Sequence, residues 1–243
     1  MGNLYLITGA SSDVGRALIE HLYKDGDIFI AQGAGDLSGL APLCKSTNGA
    51  VKTYDVDLTD SAALDMFISD VKERYGIPTH IVHLPALRVI NTKFKKFDED
   101  RFHLDMQVQI DSAIRICKTF LPEMAKAKSG RVLFMLTNYL MGVPPKNTTA
   151  YVVAKSALAG LAKSLAAEYA QYGITVNSVM PAMMETKFLA DTPNLIVQAS
   201  SEANPMGRNA RVSDVVPAMA FLLSEEAGFI TGVTLPITGG STI

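Results

Sequence analysis

Apolar positions along the chain fall into short runs separated by stretches with helical spacing. The first run, Asn3–Thr8 (NLYLIT), is broken by Gly9-Ala10-Ser11-Ser12. From there Val14, Ala17, Leu18, His21 and Leu22 recur at the spacing of one helix face. Asp13 stands where a helix N-cap would stand. This pattern predicts strand, glycine turn, helix. Further strands are expected at Ile28–Ala31 (closed by Gly33-Ala34-Gly35), Val51–Tyr54, His80–His83, Arg131–Leu136, Ile174–Met180 and Thr234–Ile237. Helices are expected over Ser61–Tyr75 behind Asp60, over Asp98–Ala127 with Pro122 interrupting near its end, over Val152–Tyr172 closed by Gly173, and over Val212–Leu223. Residues 182–206, with Pro193 and Pro205, read as irregular. The inner strands are continuous apolar runs, as in a parallel sheet covered on both faces. The expected fold class is α/β: one doubly wound domain over residues 1–243, with a parallel sheet of about seven strands and helices on both faces.

Composition narrows the class of function. The 243 residues are 48% hydrophobic and 19% charged, a globular balance. The formal net charge is −2 and no basic block occurs, so nucleic acid is not an expected partner. No apolar run approaches the roughly 18 residues a membrane span needs, and no membrane association is expected. Cys44 and Cys117 are far apart, outside any CxxC or Cys/His cluster. They read as free thiols in a reducing compartment, with no metal site. The chain enters its first strand without a basic leader, so no signal peptide is expected and cytoplasmic location is the default.

Thr8-Gly9-Ala10-Ser11-Ser12-Asp13-Val14-Gly15 lies where the first strand enters the first helix. Small residues there let the backbone approach a diphosphate, and the helix N-terminus adds free N–H groups and a positive dipole end. Gly9, Ser11, Ser12, Asp13, Val14 and Gly15 are therefore candidate dinucleotide-binding residues. A tight turn without a ligand is the plain alternative. An acid at the end of the second strand would bind a ribose 2′-hydroxyl, and a basic residue a 2′-phosphate. Gln32 stands there, followed by Gly33, which leaves NADP or NAD open.

Tyr151-Val152-Val153-Ala154-Lys155 puts a phenol and an ammonium one helical turn apart on one face. A phenol with its pKa near ~10 gives up a proton reluctantly at neutral pH. A neighbouring ammonium stabilises the phenolate. Tyr151 is then expected to act as acid or base at a carbonyl/alcohol couple, with Lys155 tuning it. A tyrosine packed on the sheet beside a solvated lysine is the structural alternative.

These two motifs resemble those of the short-chain dehydrogenase/reductase family, whose glycine pattern is TGxxxGxG. Gly9 and Gly15 match two of its three glycines and Asp13 replaces the middle one. The likeness runs through Lys155-Ser156-Ala157-Leu158, Gly173-Ile174-Thr175-Val176-Asn177 with Met180-Pro181, Glu185-Thr186 and Thr238-Gly239-Gly240. It is greatest to bacterial 3-oxoacyl-(acyl carrier protein) reductases. The resemblance implies a Rossmann-type domain, an NADP or NAD cofactor with NADP favoured, and hydride transfer to or from a carbonyl or alcohol. It implies that Asp57 and Leu58 hold the adenine, although Asp57 also reads as a turn carboxylate beside Thr59 and Asp60. It further implies that Pro85, Pro181 and Thr186 border the cofactor and that Lys155 binds its ribose.

Three positions depart from that family's pattern. A serine usually precedes the tyrosine by 13 residues; counting back from Tyr151 gives Asn138, whereas counting forward from Gly130-Arg131 gives Thr137. Both stay open as the group that polarises the carbonyl. Gln109 stands where an asparagine usually holds a water of a proton relay, and His83-Leu84-Pro85-Ala86 stands where NNAG is usual. His83 reads as a satisfied strand-end histidine rather than a catalytic one. Met183, Met184, Phe188 and Leu189 on one side, and Tyr139, Leu140, Met141 and Val143 on the other, are expected to flank a moderately apolar substrate such as an acyl chain. Residues 182–206 would form a lid. Lys126, Lys128 and Arg131 are expected near the mouth, where a small-molecule carbonyl substrate linked to acyl carrier protein could dock. The helical stretches 98–127 and 152–172, with Tyr169 and Tyr172, would pack in a homotetramer or homodimer. Two other functions compete: a catalytically impaired dinucleotide-binding paralogue serving as sensor or assembly partner, and an enzyme acting on a sugar nucleotide in surface-polysaccharide synthesis.

Overall fold

The structure, a computed structural model, describes residues 2–241. Strands β1 (Leu4–Thr8), β2 (Ile28–Gly33), β3 (Val51–Asp55), β4 (His80–His83), β5 (Gly130–Met135), β6 (Ile174–Pro181) and β7 (Thr234–Ile237) form one sheet in the order β3-β2-β1-β4-β5-β6-β7. Every pairing is parallel. The helices are α1 (Asp13–Leu22), α2 (Ala41–Ser46), α3 (Ser61–Tyr75), α4 (Glu99–Met106), α5 (Ser112–Ala127), α6 (Thr149–Tyr169), α7 (Asn194–Ala203) and α8 (Val212–Leu223). Because successive strand residues point to opposite faces, each strand feeds two cores. Leu6, Ile30, Phe134 and Val176 pack with Phe67 of α3, Phe120 of α5 and Leu158 of α6. Ile7, Phe29, Leu133 and Val179 pack with Leu18 of α1 and Val215 and Met219 of α8. β1 neighbours both β2 and β4, so the strand order reverses there and opens a crevice at the strands' carboxyl ends.

The doubly wound expectation holds, with differences in detail. Ser12, not Asp13, caps α1: its Oγ accepts the Gly15 N–H at 3.1 Å, and Asp13 is already the first helical residue. The stretch expected as one helix from Asp98 to Ala127 divides. Asp98 caps α4, a π turn over Gln107–Asp111 follows, and α5 then runs through Pro122 without stopping. Residues 182–206 are not irregular throughout, since they contain a 3₁₀ turn (Lys187–Leu189) and α7. α7 (NLIVQASSEA) buries no residue fully, so it lacks the apolar stripe by which a helix is read. α2 is six residues long, too short to establish a period. No helix among the described residues is long and apolar enough to cross a membrane.

Two buried histidines brace the sheet. His83 Nε2 lies 3.0 Å from the Gln109 carbonyl, and its Nδ1 lies 2.8 Å from Thr8 Oγ1. Burial pushes its pKa down to about 3, so the ring is neutral. A carbonyl can only accept, so Nε2 carries the proton and Nδ1 accepts from the Thr8 hydroxyl. His80 repeats the arrangement at the other end of β4, between the Leu223 carbonyl (3.0 Å) and Thr79 Oγ1 (2.8 Å). Burial holds His80 at about 4. In the unfolded chain both rings titrate near ~6.5. Below that pH the unfolded state binds more protons than the fold, so stability falls as pH drops from about 6.5 towards the folded values. Thermal melts over this range are expected to show a falling Tm, and His83→Asn, if it keeps the fold, is expected to shrink the fall by about half. An unchanged slope in the variant would show that His83 is not part of the linkage.

Candidate active site

A cavity of about 790 Å³ opens at the carboxyl ends of the strands, a size typical of sites that enclose a small molecule or cofactor. At one end it is bordered by the β1–α1 turn: Gly9, Ser11, Ser12, Asp13 and Val14. Gly9 has φ 71°, and a Cβ there would meet the Pro85 nitrogen at 3.1 Å. At Gly15 a Cβ would come within 2.7 Å of the Ala10 backbone. Gly15 itself does not line the cavity; its part is to let α1 start close against the turn. The first helical N–H groups, those of Asp13 and Val14, have no intrahelical acceptor. This cradle suits a diphosphate in all but one respect, the Asp13 carboxylate. Asp13 Oδ1 pairs with Arg16 at 2.5 Å, and its Oδ2 accepts the Lys187 N–H at 2.8 Å. The carboxylate thus joins the turn to the segment after β6.

Farther along are Asp57, Leu58, Pro85, Pro181 and Thr186, all on the cavity wall. Asp57 Oδ1 accepts from the Thr59 N–H and hydroxyl, at 2.9 and 2.8 Å, so it organises its own turn as well. Gln32 borders the cavity, but its side chain is spent: Oε1 accepts the Gly9 N–H at 3.0 Å and Nε2 donates to the Val56 carbonyl at 2.7 Å. It braces the first turn rather than presenting a free group to a ribose. The last residue of β2 is Gly33, where a Cβ would meet Leu37 at 2.5 Å and Ser11 Oγ at 2.7 Å.

Tyr151 and Lys155 project from the first turns of α6 into the far end of the cavity. The Thr137 hydroxyl stands beside the Tyr151 phenol, where it favours the ionised form. Asn138 begins the 3₁₀ turn after β5 and lines the same cavity, and the Tyr139 ring meets that of Tyr151 edge-on at 6.0 Å. Burial raises the Tyr151 pKa, and only the neighbouring Thr137 hydroxyl opposes that rise. The expected activation by Lys155 is not seen in the protein alone, because the Nζ sits 5.9 Å from the Tyr151 ring centre. Lys155 is 1% exposed, donates to the Met135 carbonyl at 2.7 Å, and is pushed down to about 8 by burial. The phenol is therefore a protonated donor near neutral pH, and the ammonium is the group poised to titrate.

Gln109 does not reach the cavity. It is fully buried in the π turn, its Nε2 donating to Asp105 Oδ1 at 2.6 Å and its carbonyl accepting from His83. Asp105 was not among the sequence candidates. Its signal was a lone acid on the buried face of α4, one turn before Gln109.

Two sequence expectations are corrected. Lys126, Lys128 and Arg131 lie at the amino end of β5, the opposite edge of the sheet from the cavity. Lys126 pairs with Glu123 at 2.9 Å, and Arg131 is buried against Glu225 at 3.1 Å and the Ser224 carbonyl. The basic side chains bordering the cavity are instead Arg88, Arg101, Lys155 and Lys187. Leu140 and Met141 pack on the core rather than the cavity, and Val143 is 96% exposed. Met183, Met184, Phe188, Leu189 and Tyr139 do line it. The groove beside Tyr169 and Tyr172, whose rings lie 6.1 Å apart, is shallow and remote from this site.

Comparison with known proteins places this geometry in a family. A model described as enoyl-(acyl carrier protein) reductase matches residues 9–242. An oxidoreductase UcpA from Salmonella typhimurium is 30% identical over 252 residues, covering 100% of this chain and 95% of that protein. A 3-oxoacyl-[acyl-carrier-protein] reductase FabG from Haemophilus influenzae is 29% identical and covers 98% of each chain. A solved structure of a putative gluconate 5-dehydrogenase from Beutenbergia cavernae superposes with a TM-score of 0.90 at 24% identity, covering 99% of this chain and 96% of that one.

The buried ammonium makes one stability test available. With Lys155 at about 8 in the fold and near ~10.4 unfolded, its contribution to stability rises as pH climbs through that window. Lys155→Met is expected to raise Tm by about 2–6 °C at pH 7. The gain should vanish above about pH 10 as the wild-type amine discharges. Differential scanning calorimetry at both pH values checks it; a loss of stability at pH 7 would mean that burial of the charge is not the dominant effect.

Proposed function

This chain belongs to the short-chain dehydrogenase/reductase family, and from that premise we propose that it is a working NAD(P)-dependent oxidoreductase reducing a moderately apolar carbonyl, of the 3-oxoacyl-thioester kind. The observation that carries the reading is the cluster of Thr137, Tyr151 and Lys155 in the same cavity as the glycine turn. A dinucleotide, when bound, supplies or accepts the hydride. Gly9, Ser11, Ser12, Val14 and Thr186 would hold its phosphates, Asp57 and Leu58 its adenine, and Lys155 its ribose. β2 ends at Gly33 without an acid for a ribose 2′-hydroxyl, which favours NADP over NAD.

The protein's own part is proton supply and orientation. Tyr151 Oη–H donates to the carbonyl oxygen as that oxygen gains charge, leaving a phenolate. The Thr137 hydroxyl stabilises the phenolate and, with the Asn138 amide, orients the substrate oxygen. The buried Lys155 charge lowers the cost of forming the phenolate in a site with little water. Met183, Met184, Phe188 and Leu189 give the substrate side an apolar wall. Burial keeps the phenol protonated, the form that the reductive direction requires. Arg88 and Arg101 are the basic groups at this rim that an acyl-carrier phosphate could meet. Assembly as a homotetramer or homodimer through α4, α5 and α6 belongs to the same reading.

A second reading, a dinucleotide-binding protein without turnover, draws its support from Asp13, whose carboxylate stands at the cradle and holds the Lys187 N–H. Fluorescence titration with NADPH and NADH, followed by an acyl-thioester ketone, separates the two. Oxidation of bound cofactor supports the enzyme; tight binding without oxidation of any carbonyl favours the second reading. Tyr151→Phe is expected to lower kcat at least ~100-fold while leaving cofactor Kd within about twofold. Asp13→Asn keeps an acceptor for Lys187 but removes a charge facing the diphosphate. It is expected to tighten NADPH binding about five- to tenfold at low salt, and weaker binding would show that the carboxylate's bracing of Lys187 outweighs its repulsion.

A further inference from the structure

Next to Leu104, which lines the cavity, α4 buries an ionisable group that the proton chemistry above does not use. Asp105, on α4, is 7% exposed. Its carboxylate accepts from Gln109 Nε2 at 2.6 Å, and the Leu87 N–H in the segment after β4 favours its charged form. α4 packs against α6, the helix that carries Lys155 and Tyr151, so this carboxylate favours the charged form of Lys155 and disfavours a Tyr151 phenolate. The charged and titratable groups facing it are Lys155 and Tyr151 from α6 and Arg101 from its own helix. His83 stands behind Gln109 and is neutral. Lys155 is otherwise bonded to a neutral carbonyl, that of Met135.

Gln109 explains why a carboxylate is needed. Its backbone carbonyl is taken by His83, and its amide nitrogen is directed at Asp105. An ionised carboxylate can only accept, so the amide is fixed with nitrogen towards Asp105 and oxygen away. That oxygen, Oε1, is buried and has no protein donor among the described residues. The orientation of the amide at this position is therefore set by the acid one turn earlier. We propose that Asp105 is a positioning residue of the active site, which holds the Gln109 amide in one orientation and serves as the counter-charge that keeps the Lys155 ammonium charged. The assignment rests on the oxidoreductase reading for its purpose, but its physical content is testable without cofactor or substrate.

The test is an NMR titration of the full-length protein with lysine labelled at 13Cε, the Lys155 signal being identified by its loss in Lys155→Met. The wild-type signal is expected to titrate with a midpoint near about 8. A smaller second inflection is expected on the acid side, above the ordinary carboxylate range, as Asp105, raised by burial, gains its proton. In Asp105→Asn the midpoint is expected to fall by about one pH unit and the acid inflection to disappear, while Asp105→Glu restores both in part. In turnover assays the alkaline limb of kcat moves down with the lysine in Asp105→Asn. An unmoved Lys155 midpoint in a folded Asp105→Asn protein would overturn the proposal. Should that variant not fold, a wild-type Lys155 signal lacking the acid inflection overturns it equally. Failure of the wild type to bind or oxidise any nicotinamide cofactor would sink the oxidoreductase reading and leave the Asp105–Lys155 coupling measurable.

Discussion

A single imidazole joins the two halves of the site. His83 closes β4, receives the Thr8 hydroxyl from the last residue of β1, and gives its Nε2–H to the Gln109 carbonyl in the π turn. Thr8 begins the glycine turn that shapes one end of the cavity, and Gln109 leads through Asp105 to the other. All three residues are essentially water-free, so neither hydrogen bond has a solvent substitute and breaking either strands a buried polar group. The spacing between nucleotide cradle and α6 therefore hangs on a ring that must stay neutral.

The charges of the cavity follow from that dry frame. Lys155 is carried inside by α6, Asp105 by α4, and Asp13 stands at the start of α1. The two acids differ in surroundings. Asp13 is partly solvated and shared between Arg16 and a backbone N–H, so its charge is screened and adjustable. Asp105 sits where screening is weak, and its effect on Lys155 is correspondingly direct.

Much of this was legible in the residues. Apolar runs located all seven strands, and Asp60 and Gly173 marked real ends of helical segments, because local periodicity and capping decide such features. What escaped depended on partners far along the chain. Gln32 looked like a nucleotide-selecting residue, but the open N–H of Gly9 and the Val56 carbonyl claim its amide. Lys126, Lys128 and Arg131 looked like a docking patch; parallel topology puts them at the wrong end of β5. Asp105 was invisible because an acid on a helix is by default a solvated one, and only the packing of α4 on α6 makes it otherwise. The choice between Thr137 and Asn138 could not be made by counting, since the loop length was unknown; both residues border the cavity beside Tyr151.

The π turn at Gln107–Asp111 inserts one more residue than an α-helix would hold over the same rise. Each α-helical residue turns the chain by roughly 100°, so everything downstream of the turn is phased against everything upstream by that extra step. The buried stripe of α5 (Ile116, Cys117, Phe120 and Met124) and the inward face of α4 are in register with their neighbours only while the bulge persists. A one-residue deletion between 107 and 111 would give a more regular helix and a worse protein: either α5 would keep its seat on the sheet and Asp105 would swing away from α6, or the reverse. A change in the number of residues between 107 and 111 would therefore disturb the site more than an exchange of side chains there.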